Sequence, residues 1–450
     1  MTRRATPARA ALLALATCVA SCLYADNPYY CEGLPNNFCQ PAAPGACTSS
    51  AQCGGATPVC DVEDTGVCVP CTTADDAACG DATPVCGDDH TCRGCRAHAE
   101  CATAACLPEG RCGNAAEVAY VTEGASDAGL CTQAVPCATV ARALTTGRPF
   151  LKLAGTLTES LTIEGGRQVT LLAAPDARLT GGGGGALITV RDTGTSLAIF
   201  DLALTDAPNN TAGYGVIVPA GSGAPSVTLS RVTISNCPAG GISLGAGALT
   251  LSRSTLSNNR GGGLAISGVD TTFVVHNNMI VYNGRALGAQ PSSVGGVAIS
   301  SNTAGSSFER NTVAFNESDG LTFRGGVSCN APRVAAAGNL LFHNVEPDGT
   351  GSTRSEASTQ RNTQSACAFG DSAAIASDLT NLGFASPLIA PLDFHLTSSS
   401  PPAVRDAGGA CTGVDFDGEP RPYGAGCDLG ADELQPSTGS TSISTLRAPR

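Results

Sequence analysis

One six-residue template recurs along the second half of the chain and restricts its fold more than any other feature. It opens as Val232–Cys237 and returns as Ser254–Asn259, Asn278–Asn283, Asn311–Asn316 and Asn339–Asn344. Position one is often Asn. Position three is aliphatic: Ile234, Leu256, Ile280, Val313 and Leu341. Position six holds Cys237, Asn259, Asn283, Asn316 and Asn344, at intervals of 22, 24, 33 and 28 residues. A second motif, Gly followed by aliphatic, any residue, apolar, alternates with the first. It reads Gly241-Ile242-Ser243-Leu244, Gly263-Leu264-Ala265-Ile266, Gly296-Val297-Ala298-Ile299 and Gly320-Leu321-Thr322-Phe323.

A period in the low twenties, with one Gly-started strand and fixed turn residues in each repeat, predicts stacked coils. A single coil cannot bury its inward side chains, but stacking places Ile on Leu on Val in a continuous core. A carboxamide both donates and accepts, so Asn259, Asn283, Asn316 and Asn344 are expected to form a ladder along one turn. Cys237 occupies the same rung and is expected to be an inward-facing free thiol. The long interval marks an insertion at 284–294 that loops outward. At about 4.8 Å per coil, nine or ten coils make a rod of roughly 45 Å. A β-sandwich, the competing all-β architecture, would not need Asn at a fixed turn position. Composition points the same way, because 55 Gly, no Trp and 14% charged residues leave little material for helices.

These residues resemble the right-handed parallel β-helix, or pectin-lyase-like, superfamily over roughly 117–433. The likeness begins at Tyr120-Val121-Thr122-Glu123-Gly124, continues through Cys131 to Leu144, and ends at Asp415-Phe416-Asp417-Gly418-Glu419-Pro420-Arg421-Pro422 and Asp428-Leu429-Gly430-Ala431-Asp432-Glu433. It implies a β-helix over 114–433 with a cap at each end, since an uncovered terminal coil offers strand edges for aggregation. Cys131 and Cys137 would pin the first cap, Cys411 and Cys427 the second, and Cys329 with Cys367 would close an irregular insertion at 345–366. Residues 434–450, rich in Ser and Thr, read as a disordered tail.

Ahead of this region, 14 of the 23 cysteines fall between Cys31 and Cys112. Cys47, Cys71 and Cys95 head repeats 24 residues apart, and Thr57-Pro58-Val59-Cys60 returns as Thr83-Pro84-Val85-Cys86. Residues 22–113 carry too few large apolar side chains for a core of their own, so cross-links must replace it. The connectivity is open at this stage. Cys68-x2-Cys71 and Cys92-x2-Cys95 also have a zinc-ribbon spacing, but Cys79 and Cys86 lie between the pairs and export favours disulfides. The arrangement resembles Cys-rich repeats that open surface lipoproteins of high-GC Gram-negative bacteria.

Export is read from residues 1–21, a signal peptide with Arg3, Arg4 and Arg9 before an apolar run from Ala10 to Val19. Val19-Ala20-Ser21-Cys22 resembles a lipobox, which implies acylation of Cys22 and a membrane anchor. Leu15-Ala16-Thr17-Cys18 is a weaker form, and ordinary cleavage near Ala25 with secretion is the alternative. Leu23 stands where an aspartate would imply inner-membrane retention, so the outer membrane or cell surface is expected. The net charge of −13 becomes −16 once the three leader arginines are lost. That field excludes nucleic acid as a partner.

No complete catalytic set is legible. The Gly-His-Gly and Arg-x-Lys of pectin-hydrolase-like proteins do not occur, and Lys152, the one lysine, has no acidic cluster near it in sequence. Arg231, Arg253 and Arg310 each precede position one of a template and would line up as a stripe able to grip an anionic glycan. Asp415 and Asp417 are the candidate calcium ligands; no other cofactor is expected. The reading is a monomeric, non-catalytic surface β-helix with a structural, adhesive or ligand-binding role toward a polysaccharide or surface protein. A lyase or hydrolase acting on acidic glycans is the alternative.

Overall fold

The computed structural model describes residues 46–209, 212–284, 292–319, 325–345, 363–365, 367, 373–374, 382–388 and 392–435. They fall into two compact bodies. One runs to Cys95 and includes Glu109–Arg111; the other comprises Arg96–Pro108 and the chain from Cys112 onward. The third Cys-rich repeat therefore belongs largely with the β-region, and the division does not fall cleanly at residue 113.

The first body is two hairpins held by cross-links. Val59–Cys60 pairs antiparallel with Cys68–Val69, and Val85–Cys86 with Cys92–Arg93. Bonds Cys47–Cys60 and Cys53–Cys68 are matched one repeat later by Cys71–Cys86 and Cys79–Cys92. Each repeat thus joins its first cysteine to its third and its second to its fourth. Cys68, Cys71 and Cys92 each enter a different disulfide, which takes the zinc-ribbon thiolates out of play. Val59 and Val69 are buried, but otherwise cysteines make up most of the interior. Each bridge restricts the unfolded chain by about 2–4 kcal/mol, in place of a packed core.

The second body is a right-handed parallel β-helix. Three sheets run along the stack, and each coil visits them in turn. Sheet 1 has eight strands, from Val118–Thr122 to Ser307–Glu309; sheet 2 has nine, from Thr156–Thr158 to Ala373–Ala374; sheet 3 has eight, from Leu161–Ile163 to Thr363–Ser365. The template's third position forms one unbroken inward column: Ile234 pairs with Leu256, then Ile280, Val313 and Leu341. All five are buried, and Phe273 and Phe308 fill the later coils from sheet 1.

The glycine that opens several of the later sheet 3 strands has a steric reason. A Cβ on Gly241 would meet the Gly263 carbonyl at 2.6 Å, one on Gly263 the Gly296 carbonyl at 2.6 Å, and one on Gly296 the Gly326 carbonyl at 2.7 Å. Gly320–Phe323, the fourth copy of the Gly motif in the sequence, lies outside the described residues. The described strand that pairs next with Val297–Ile299 is Val327–Cys329, opened by Gly326.

At the N-terminal end, the Cys131–Cys137 bond sits beside the first strand, and a helix, Val140–Leu144, turns Val140 and Ala143 into the core. Thr139 caps it by accepting the Arg142 N–H, and the Glu159 carboxylate accepts the N–H groups of Val140 and Ala141. Residues 96–108 lie on the outer face of sheet 1, where Tyr120 donates its hydroxyl to the Thr103 carbonyl and Ala105 packs with Val118 and Tyr120.

The C-terminal segment, expected to cap the last coil, instead packs along the side of the stack. In early coils the outward positions of sheet 2 are polar: Thr156 and Thr158, Thr233 and Ser235, Thr255 and Ser257. They then become Met279 and Val281, Thr312 and Ala314, Leu340 and Phe342. Burying that second apolar face requires a partner. Leu382, Phe384, Phe394, Leu396, Val404, Leu429 and Ala431 supply it. Polar contacts fix the seating: the Gly430 N–H donates to the Gly338 carbonyl and the Ala431 N–H to Thr312 Oγ1.

Candidate functional site

Two short turns recur in the coils, and both are built on left-handed residues. Between sheets 1 and 2 these are Asp201, Arg231, Arg253, Asn277 and Arg310, with φ from 51° to 64°. Between sheets 2 and 3 they are Asp206, Asn236, Asn258, Tyr282, Phe315 and His343, with φ from 46° to 57°. In each turn the left-handed residue points outward and its successor points in. The inward successors make two carboxamide ladders.

Along the second turn, Nδ2 of Asn259, Asn283 and Asn316 donates to Oδ1 of the next Asn at 3.0, 2.9 and 2.9 Å, ending on Asn344. The same oxygens accept backbone N–H groups one coil back, and Asn259 Oδ1 likewise accepts the Cys237 N–H at 3.1 Å. Along the first turn, Asn278 donates to Asn311 and Asn311 to Asn339, at 2.9 and 3.1 Å. This second ladder follows template position one, whose Asn the sequence showed without marking it as a ladder. Cys237 is a free, buried thiol whose pKa burial pushes up to about 12.

Outside the first turn, Arg231, Arg253 and Arg310 do fall in one column, interrupted by Asn277. Each is engaged by its own chain. Arg231 makes a two-pronged contact with Asp201 at 2.6 and 2.8 Å. Arg253 Nε donates to the Phe416 carbonyl at 2.9 Å, and Asn277 Nδ2 to the Val414 carbonyl at 2.7 Å. Arg310 faces Glu309 at 3.3 Å. The column is a rail for the C-terminal segment as much as a charged stripe.

Outside the second turn, Asp206, Asn209, Asn236, Pro238, Asn258 and Arg260 line a groove of about 260 Å³. Asn236 Nδ2 donates to Asp206 Oδ1 at 3.0 Å, which orients both groups. The next rungs of this turn are aromatic. Tyr282 and Phe315 stack at 5.1 Å between centroids, and Phe315 and His343 at 5.4 Å. None of the groove residues was singled out from sequence. Asn236, Pro238, Asn258 and Arg260 each adjoin the Cys237 or Asn259 rung, whereas Asp206 and Asn209 flank Ala207, which carries no such mark.

Lys152 points outward from sheet 1 but is only 6% exposed, and its Nζ donates to the Ala173 carbonyl at 2.9 Å. Burial lowers its pKa to about 7, against the pull of Asp201. His98 stands beside it and falls to about 4, through burial and the charge of Lys152; its Nδ1 accepts the Cys106 N–H at 3.0 Å. An amine with this pKa is suited to proton abstraction, but burial denies it a polymer substrate.

The acidic C-terminal motif works mainly inside the chain. Asp415 Oδ1 accepts the N–H groups of Asp417, Gly418 and Glu419, and Oδ2 accepts that of Glu433. Asp406 accepts from Ala425 and Gly426, and Asp428 from Asp406 and Leu434. Arg421 and Glu433 form a fully buried ion pair at 3.2 Å. Asp417 differs, because it turns to His395 with Asp393 and Asp432. Burial opposes charge on His395, but the surrounding carboxylates of Asp393, Asp417 and Asp432 outweigh it and raise the pKa to about 11. Cys329–Cys367 and Cys411–Cys427 are bonded. Cys22, the signal peptide, most of the 345–366 insertion and the tail from 436 lie outside the described residues.

Residues 214–375 match the family model described as a right handed beta helix region, and residues 13–118 match a family of unknown function (DUF8331). The stacked parallel sheets of the second body accord with that right handed beta helix region. No curated protein matches the chain. Among solved structures it is similar to that described as "Crystal structure of pectate lyase Pel9A", with a TM-score of 0.42 and 14% identity over 71% of this chain and 96% of that one.

Proposed function

We propose that this protein is an exported, lipid-anchored, non-catalytic β-helix that presents its second turn to a hydroxyl-rich glycan at the cell surface. The observation that carries the reading is the groove beside Asp206, Asn236, Asn258 and Arg260. Its polar side chains come from turn positions where side-chain length does not disturb the coil. Carboxamide, carboxylate and guanidinium groups in one shallow groove suit paired donors and acceptors such as vicinal hydroxyls. The Arg column serves this role less well, since Asp201, Phe416 and Glu309 already engage it. The motif Val19-Ala20-Ser21-Cys22 supports anchoring through Cys22, with the Cys-rich repeats as a spacer.

The test is affinity electrophoresis of the full mature chain in neutral and uronate-containing polysaccharides, with product absorbance followed in parallel. Retardation without unsaturated product is expected, and Asp206→Ala with Arg260→Ala should abolish it. Unsaturated product would establish the lyase alternative instead. Cys22→Ala should move the protein from the membrane fraction to the medium.

A further inference from the structure

The residues around His395 form a more specific arrangement than an internal ion pair requires. His395 lies on the strand Asp393–Leu396, Asp417 in the turn that follows Val414, and Asp432 where the chain returns across the segment. One ligand atom from each of His395, Asp417 and Asp432 lies within 4.8 Å of the other two. Asp393 Oδ1 lies 2.6 Å from His395 Nδ1 and also accepts the His395 N–H at 3.0 Å, so it fixes the ring's orientation and directs Nε2 at the other two carboxylates. Nε2 is buried and lacks an aligned hydrogen-bond acceptor. Asp417 Oδ2 is 2.9 Å away, so this contact is one of charge and proximity rather than direction. Asp432 is 5% exposed, and its Oδ2 accepts the Leu396 N–H at 2.7 Å.

From this geometry we infer that His395, Asp417 and Asp432 bind one divalent transition-metal ion of the zinc class, with Asp393 as the positioning residue that orients the imidazole. A carboxylate on one ring nitrogen with the other nitrogen aimed at further carboxylates is the usual support of a metal-bound histidine. Two carboxylates and one imidazole are donors such an ion accepts, and three protein ligands leave a place for water. The ion takes the place of the proton on Nε2, which leaves to solvent. Neighbouring acidic residues are committed elsewhere. Asp415 and Asp428 spend both carboxylate oxygens on backbone N–H groups, and Asp406 Oδ1 accepts two of them. Because His395, Asp417 and Asp432 come from three separate stretches, the ion would tie the strand, the turn and the returning chain together.

The test uses the full mature chain, disulfides intact and any affinity tag removed, stripped with EDTA and titrated separately with Co²⁺, Zn²⁺ and Ca²⁺. One equivalent of Co²⁺ or Zn²⁺ should bind, with visible Co²⁺ absorption characteristic of nitrogen and oxygen ligands and a rise in melting temperature. Asp417→Asn, at a partly exposed position, should keep the fold and weaken binding about tenfold or more. Asp393→Asn should weaken it about 10–100-fold, while His343→Gln should leave it unchanged. Binding well below one equivalent, preference for Ca²⁺ over both transition metals, or full binding by Asp417→Asn and His395→Ala would each overturn the assignment.

Discussion

A left-handed backbone costs a residue with a side chain roughly 1–2 kcal/mol, yet this chain adopts it at Arg231, Arg253, Asn258, Tyr282, Phe315 and their equivalents. The cost is offset by the residue that follows. Asn283 accepts both the backbone and the side-chain N–H of Asn259, and donates to the carbonyls of Leu256 and Val281 and to Asn316. Asn283→Ala would leave several of these buried groups unpaired. Each costs about 1–3 kcal/mol, so chemical denaturation should show a loss of about 3–5 kcal/mol, whereas Asn209→Ala at the exposed groove should cost little. Lys152 gives a prediction of opposite sign. Its pKa falls from 10.5 unfolded to about 7 folded, so the unfolded chain binds the extra proton between those values and stability rises with pH across that window. Below about pH 7 the cost of the buried charge is present in full. Lys152→Met should therefore raise the melting temperature at pH 6–7, with an advantage that shrinks steadily toward pH 9. A constant offset over that range would show that Lys152 is more open to water than its burial indicates.

At the scale of strands, sheet 2 changes character along the stack. Its early outward positions face solvent as Thr and Ser; its late ones, Met279, Val281, Leu340 and Phe342, face Phe394 and its neighbours. Phe394→Ala removes a nearly buried ring from this contact, a change that costs about 3–5 kcal/mol in a well-packed core. Because the loss falls on one layer, hydrogen exchange should quicken across 393–433 while sheet 1 amides from 196 to 276 stay protected. Equal loss in both would mean that the segment and the coils unfold as one unit. The switch was readable in the sequence as Thr-x-Ser giving way to Met-x-Val, but periodicity alone cannot say what covers an outward apolar residue. The acidic ending was therefore expected at the terminal edge rather than along the side.

At the scale of the whole chain, the two bodies owe their stability to different physics. Residues 46–95 rest on cross-links around a minimal interior, whereas the β-helix has a continuous core from Ala119 to Leu341. Mild reduction should abolish exchange protection at 46–95 and leave protection across 226–345 largely intact, as mass spectrometry of the exchanged chain would show. Simultaneous loss in both regions would make the disulfides the common support. The third Cys-rich repeat should behave with the β-helix, because Thr103 and Ala105 pack on its first strands.

The amino-acid sequence alone determined the coil: its period, inward column, Asn rungs and Gly-started strands are local repeats, and a repeat is visible without knowing what lies beside it. It also carried the cysteine pattern, though not the pairing, since pairing depends on which hairpin halves meet. Only the tertiary structure decided where the C-terminal segment lies, that Arg253 holds it, and that His395 meets Asp417 and Asp432. Those contacts join residues far apart in the chain, without a period to announce them. Long-range meetings between single side chains are set by how two surfaces fit, and no one-dimensional pattern records that fit.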